Sequence, residues 1–291
     1  MRHELNVWVV GGDMRQAKLA ALLAEDGHTV HTYALERVEE PDPVPQAESL
    51  KDAVLADCVI LPLPAAGEPG RLNAPLSEHK PLLSEVLDAL RPGQVVCAGK
   101  ADDGLQALAQ ERGLKLFDYF AREELAVANS VPTAEGAVQI AMEELPVTLH
   151  GARVLVLGFG RLGKLTAHRF AGLGAKVTIA ARKWADLAWG EAYGYTAEHI
   201  QRLDGWLCGY DLVVNTVPSR VLDAARLADL RPGCLVIDLA SKPGGVDVGI
   251  GSGQRSVGKR GTSGTMPYDS TCRYCRWIRI RQIDVDFFEI R

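Results

Sequence analysis

No stretch of this sequence reaches the roughly 18–20 consecutive apolar residues needed to cross a bilayer, and its opening residues "MRHELNVWVVGGD" lack a signal-peptide apolar core of useful length. A membrane or secretory role is therefore not expected. An excess of basic charge is also absent. Lys and Arg total 32 against 37 Asp and Glu, a formal net charge of −5. That balance argues against bulk nucleic-acid binding. A full set of metal-ligand cysteines is missing too. Of six cysteines, Cys58, Cys97, Cys208 and Cys234 lie in or beside apolar stretches, as reduced thiols of a cytoplasmic protein would. Cys272 and Cys275 form a single CxxC with no second pair and no histidine cluster, so no metal site is expected. No histidine has an obvious catalytic setting; His150 reads as a turn residue.

What is present is alternation. With 291 residues, two domains are the natural expectation. "LNVWVV" reads as a strand ending in Gly11-Gly12, followed by a helix with apolar residues at three-to-four spacing and a second strand, "HTVHTYA". The proline-rich "EEPDPVPQAE" reads as a surface loop. "DCVILPLP", "VVCAGK" and "LKLFDYF" read as further strands, with a helix at "DGLQALAQERG". A second alternating run follows. "RVLVLGFG", "KVTIAAR", "DLVVNTVP" and "CLVIDLAS" read as strands, with helices at "RLGKLTAHRFAGLG" and "DAARLADLRPG" and a strand or turn plus a helix in "EAYGYTAEHIQRLDGWLCGY". Strands alternating with helices predict parallel sheets covered on both faces. The expected architecture is α/β: two Rossmann-like, doubly wound parallel-sheet domains flanking a cleft. The first spans 1–130 and carries substrate and catalytic groups. The second, 131–247, binds NAD(P) and includes a connecting helix at 133–145. After Asp247 the text turns Gly-, Ser- and Arg-rich and loses periodicity, so 248–291 is expected to be an atypical tail, disordered or poorly packed.

Gly158-Phe159-Gly160-Arg161-Leu162-Gly163 fits G-x-G-x-x-G between a strand and a helix, the context that a dinucleotide fingerprint requires. The first glycine allows the tight turn, the second lets backbone approach a pyrophosphate, and the third lets helix and strand pack closely. Arg161 and Leu162 complete the loop. An Asp or Glu at the end of the next strand would accept the ribose 2′-OH. Here that strand ends in Arg182 and Lys183, two cations suited to a 2′-phosphate, which favours NADP over NAD. Thr216, Val217 and Pro218, then Asp238 and Ser241, end later strands at the same sheet edge and are further cofactor contacts by topology. The front unit has "GGDMRQ", a poorer phosphate cradle, in which Asp13 and Arg15 are candidates to meet a substrate, Arg15 as a carboxylate clamp. Asn129, Ser130, Thr133 and Glu135 cluster at an apparent strand-to-helix joint. Thr133 is expected to cap the helix and Glu135 to sit in its first turn.

The stretches "VVGGDMRQ", "NSVPTAEGA", "TLHGARVLVLGFGRLGK", "AARKWADLA", "NTVPS" and "IDLASKPGGVD" together resemble the dipicolinate synthase A-subunit family over residues 5–247. The resemblance implies an enzyme in the mother cell of a sporulating bacterium. It would oxidise a dihydrodipicolinate to pyridine-2,6-dicarboxylate with NADP or NAD. A flavoprotein-like B-subunit would be its partner, with homo-oligomerisation as a further open expectation. The resemblance also implies a two-lobed fold like that of 2-hydroxyacid dehydrogenases and adenosylhomocysteinase. Asp13, Arg15, Asn129, Thr133 and Glu135 then become the candidate catalytic residues, with Glu135 or Asp13 as base. The tail departs from the family's pattern, which suggests a changed reading frame or altered terminus. Two other readings stay open: a different two-lobed NAD(P)-dependent dehydrogenase of hydroxy or amino acids, and a non-catalytic nucleotide-binding scaffold.

Overall fold

The structure is a computed structural model that describes residues 4–38, 44–241 and 244–246, together with the backbone strands at 255–256 and 275–279. The chain forms two compact units, dividing at Ala126 and Val127.

The first unit is a parallel sheet. Its strands are β1 (Asn6–Val10), β2 (Thr29–Tyr33), β3 (Cys58–Ile60), β6 (Val95–Ala98) and β7 (Lys115–Asp118), in the order β2-β1-β3-β6-β7. A small antiparallel pair, β4 (Ala66–Glu68) and β5 (Arg71–Leu72), leaves the chain after β3. Helices α1 (Met14–Glu25), α2 (Leu83–Asp88) and α3 (Asp103–Glu111) supply the covering layers. β1 is apolar on both faces because both are covered, as parallel sheets require. Val7 and Val9 pack with Ala20 of α1 and Val30, while Trp8 and Val10 join Val59, Leu61, Val86 and Val96. The strand order is the flavodoxin-like one, whose switch point lies between β1 and β3 at their carboxyl ends. Gly11, Asp13 and Arg15 sit there.

The second unit contains β8 (Arg153–Leu157), β9 (Lys176–Ala181), β10 (Thr196–His199), β11 (Leu212–Asn215), β12 (Cys234–Asp238), β13 (Arg255–Ser256) and β14 (Cys275–Arg279). Their order is β10-β9-β8-β11-β12-β14-β13, parallel throughout. The first six reproduce the dinucleotide-binding order 3-2-1-4-5-6. Helices α4 (Glu123–Glu144), α5 (Arg161–Gly172), α6 (Trp184–Ala192) and α7 (Ala224–Ala228) accompany it. Val154 and Val156 face Ala137, Ala141, Ala167 and Phe170; Leu155 and Leu157 face Leu203, Leu207, Val213 and Leu222. Among the described residues, no helix is long and apolar enough to cross a membrane, and no cluster of three His, Cys, Asp or Glu side chains could hold a metal.

Two expectations need correction. The connecting helix begins at Glu123, not at residue 133, and runs through Pro132. Proline has no N–H to give the carbonyl of Ala128, which makes a helix boundary there the natural reading. Burial of Ala134, Ala137 and Ala141, each with 0% exposure, overrides that local cost. Second, "EAYGYTAEHIQRLDGWLCGY" yields β10 and two short 3₁₀ turns at Ile200–Arg202 and Leu207–Gly209 in place of a helix. Gly205, with φ of +78°, interrupts any helical run there. Within the atypical tail, β14 lies parallel to β12, with Ile237 opposite Ile278. The rest of the expectation for 248–291, its altered frame included, and the side chains of Cys272 and Cys275 lie outside the described residues.

Candidate nucleotide site and the front loop

β8 delivers the chain to Gly158, whose φ of +92° is open to glycine alone at little cost. A Cβ on Gly158 would lie 2.5 Å from Thr216 Oγ1 and 2.9 Å from Val217 Cγ2. A Cβ on Gly163 would meet the Gly158 carbonyl oxygen at 2.1 Å. The two outer glycines are therefore walled in. Gly160 is not: a Cβ there would have nothing within 4 Å. The middle glycine faces open space at the start of α5, where a pyrophosphate needs room. Gly160 also caps α5 without a side chain, so among the described residues no side chain caps the helix at its positive end. Arg161 is exposed and Leu162 half-buried in the first turn. Phe159 points into the core at 2% exposure, with the Lys164 ammonium 5.7 Å from its ring centroid. These residues fit a dinucleotide.

β9 ends at Ala181, and Arg182 and Lys183 follow as exposed residues. Among the described residues, neither side chain has an ion-pair partner. Their backbone is held firmly. The Lys183 carbonyl accepts from Asp186 N (3.0 Å) and Leu187 N (3.2 Å), starting α6. His199, at the end of the neighbouring β10, accepts from Gln201 N at Nδ1 (3.3 Å). That fixes the proton on Nε2, which donates to the Arg182 carbonyl at 3.1 Å. The Trp184 ring tilts over His199 at 5.4 Å between centroids. Sequence reading missed His199. Its only signal was its place at a strand end beside β9.

The later strand ends close the turn from behind. Thr216 Oγ1 donates to the Leu157 carbonyl at 2.8 Å, so it braces the glycine turn. Val217 is half-buried, and Pro218 and Ser241 are exposed at the edge. Asp238 requires a correction. At 1% exposure it presents no open face for a cofactor. Its Oδ1 accepts from Asn215 Nδ2 at 2.8 Å and from Ala240 N at 3.2 Å. Asn215, fully buried, also bridges both backbone groups of Val217, each at 3.1 Å. This pair sets the β11 and β12 loop geometry. Replacing Asn215 by Ala is expected to lower unfolding free energy by about 2–3 kcal/mol, since several buried polar groups lose one partner. Urea denaturation should show the midpoint falling with the slope unchanged.

In the first unit the corresponding turn is built differently. A Cβ on Gly11 would meet Leu72 Cδ2 at 2.6 Å, and Gly12 N donates to the Asn73 carbonyl at 2.8 Å. Gln16 stands where the third glycine would help. Its side chain is buried, and its Nε2 donates to the Leu61 carbonyl at 3.2 Å. Tyr119 donates to the same carbonyl at 3.0 Å, and burial pushes its hydroxyl up to about 12. The Asp13 carboxylate caps α1 through Arg15 N at 3.0 Å. It also holds the Arg15 guanidinium at Nε (2.9 Å) and Nη2 (2.7 Å), and Nη2 reaches the Leu63 carbonyl at 2.8 Å. A negative group thus already occupies the helix end, and Arg15 is less open as a clamp than the sequence suggests. Only Nη1 is outside these bonds.

Asn129, Ser130, Thr133 and Glu135 do not form a strand-to-helix joint. All lie inside α4, and Thr133 is no cap: its Oγ1 donates to the Asn129 carbonyl at 3.3 Å, one turn back. Asn129 and Thr133, four apart, share a face. Glu135 is several turns from the helix start and pairs with Arg169 of α5 at 3.2 Å, which weakens the case for it as a base.

The sequence pattern of the N-terminal domain of the dipicolinate synthase A-subunit matches residues 6–120. That of the D-isomer specific 2-hydroxyacid dehydrogenase NAD binding domain matches residues 121–242. The dipicolinate synthase A-subunit of Bacillus subtilis (strain 168) is 31% identical over 253 residues, covering 84% of this chain and 83% of the relative. The crystal structure of that enzyme's A-subunit from Bacillus subtilis superposes with a TM-score of 0.73 at 31% identity, covering 86% of this chain and 85% of that one. Its counterpart from Bacillus halodurans gives 0.73 at 32%, covering 84% of each. An L-alanine dehydrogenase, at 18% identity and a TM-score of 0.58 over 95% of this chain and 83% of that one, shares the fold.

Proposed function

The chain belongs to the dipicolinate synthase A-subunit family, and from that premise we propose that it is an NADP-dependent oxidoreductase converting a dihydrodipicolinate to pyridine-2,6-dicarboxylate. The observation that carries the cofactor half of this reading is the contrast within one turn: Gly158 and Gly163 are packed against protein, while Gly160 opens to free space at an uncapped helix start. Bound NADP would supply the hydride acceptor. Gly160 and the first turn of α5 would receive the pyrophosphate, and Arg182 and Lys183 the 2′-phosphate.

Oxidation of the dihydro ring removes a hydride and a proton, and aromaticity drives it. The protein's task is then chiefly to orient a small dicarboxylate. Arg15 is the proposed carboxylate ligand through Nη1, with Asp13 and the Leu63 carbonyl fixing its plane. Asn129 and Thr133 offer polar groups on one helix face. Glu135, engaged by Arg169, is proposed as a positioning residue for α4 against α5, in place of a base. The B-subunit, which the family's name implies, is the proposed partner.

The test is turnover of dihydrodipicolinate with NADP, followed by the ultraviolet absorbance of the product, with and without the B-subunit. Product formed by this chain alone supports the proposal. Product that needs only the B-subunit, whether this chain is present or not, would make it a scaffold. Arg15→Ala is expected to raise KM for the dicarboxylate at least tenfold, with nucleotide affinity unchanged by calorimetry.

A further inference from the structure

Two thiols on the first sheet belong to neither the nucleotide cradle nor the front loop. Cys58 opens β3 and Cys97 lies near the end of β6, and these strands are hydrogen-bonded neighbours. Cys58 lies opposite Val95 and Ile60 opposite Cys97, so the two cysteines are diagonal neighbours on one face. Their sulfurs are 3.8 Å apart, and both residues are half-buried, within reach of small solutes. With Cys97 ionised, the Cys58 S–H donates to it, and that contact first, then burial, favours the protonated form of Cys58. That contact holds the Cys97 thiol down at about 7, below an ordinary cysteine, while Cys58 is pushed up. A thiolate beside a resolving thiol is the arrangement that reacts with oxidants.

We propose that Cys58 and Cys97 form a peroxide-responsive modification site that closes to a disulfide between β3 and β6. The Cys97 thiolate attacks one oxygen of hydrogen peroxide. The O–O bond breaks, leaving a sulfenic acid on Cys97 and releasing hydroxide. The Cys58 sulfur then attacks the Cys97 sulfur, forming the S–S bond and expelling the sulfenic oxygen, which leaves as water with the Cys58 proton. The protons balance: two thiols and one peroxide give one disulfide and two waters. The sulfurs must close from 3.8 Å to a bonding distance of about 2.05 Å. Closing that gap shifts the two side chains, the strands that carry them, or both. The change would be felt at the strand end, because Leu61 N donates to the Cys97 carbonyl at 2.7 Å and Leu61 in turn accepts from Gln16 and Tyr119.

The experiment treats the full chain with hydrogen peroxide, blocks remaining thiols with iodoacetamide and maps the peptides by mass. The expected result is a Cys58 peptide linked to the Cys97 peptide of the same molecule and released by dithiothreitol. Its formation rate should rise at a lower pH than for an ordinary thiol, whose rate rises nearer 8–9, because the contact with Cys58 lowers the Cys97 thiol. In Cys58→Ser, dimedone should trap a sulfenic acid on Cys97. Equal alkylation of both cysteines before and after peroxide, or linkage only between separate molecules, would overturn the proposal. The unmodified chain answers the question without any variant.

Discussion

Gly160→Val is expected to remove nicotinamide-nucleotide binding, a loss of at least a hundredfold, while moving the melting temperature by no more than a degree or two. The reason is that the site and the fold separate at this residue. Gly160 has φ of −77° and ψ of −164°, an extended conformation open to any residue. Among the described residues, nothing lies within 4 Å of its added Cβ. A valine there would occupy the volume assigned to the pyrophosphate in the proposed function. A hundredfold loss is about 2.8 kcal/mol, which is modest for displacing a charged group from a helix start. Gly163→Val provides the control of opposite sign. Its Cβ would sit 2.1 Å from the Gly158 oxygen, so α5 must move from β8. That variant should lose stability by several kcal/mol, as overpacked cores do. Calorimetric titration with NADPH and thermal melts on both variants check the pair. Normal nucleotide affinity in a folded Gly160→Val protein would remove the cradle from the proposed function.

Replacing Arg182 and Lys183 together by Ala is expected to cost NADPH about a hundredfold in affinity and NADH less than threefold. In the proposed function each cation would contribute a charge-assisted bond to a 2′-phosphate that NADH lacks. About 1.4 kcal/mol from each gives that factor. Both residues are exposed and engage no ion-pair partner among the described residues, so removing them should leave the second unit's stability nearly unaltered. The selectivity should also fade with salt, since exposed charges are screened beyond about 8–10 Å at physiological ionic strength. Dissociation constants for both nucleotides, in both proteins and at two ionic strengths, decide it. If the unmodified chain favours NADH, the strand end serves another purpose.

Much of the fold was legible because its strands are buried on both faces and so read as short apolar runs between glycines. "NVWVV" and "RVLVL" are such runs, and each leads to a turn and a helix. The order of the strands was not legible; pairing is a long-range choice that periodicity does not record. α4 was misread for a local reason. Pro132, Ser130 and Asn129 each disfavour a helix interior, and only the buried alanines at 134, 137 and 141 make it continuous. The candidate site was legible where the signal was steric. Three glycines at fixed spacing announced a backbone approach, and two cations announced a strand end without an acid. It was illegible where a side chain's partner is set by the folded geometry. Asp13 engages Arg15, Glu135 engages Arg169, Asp238 engages Asn215, and His199 engages the Arg182 backbone. None of those pairings follows from composition, and each changes what the residue can do.

The plugged turn of the first unit has a numerical consequence. Gln16 fills the corner, the Asn73 carbonyl takes the Gly12 N–H, and the Asp13 carboxylate stands at the start of α1. An incoming phosphate would meet like charge there and find its donors already occupied. Although the chain contains two strand–glycine–helix openings, a titration should therefore saturate at one equivalent of dinucleotide per polypeptide.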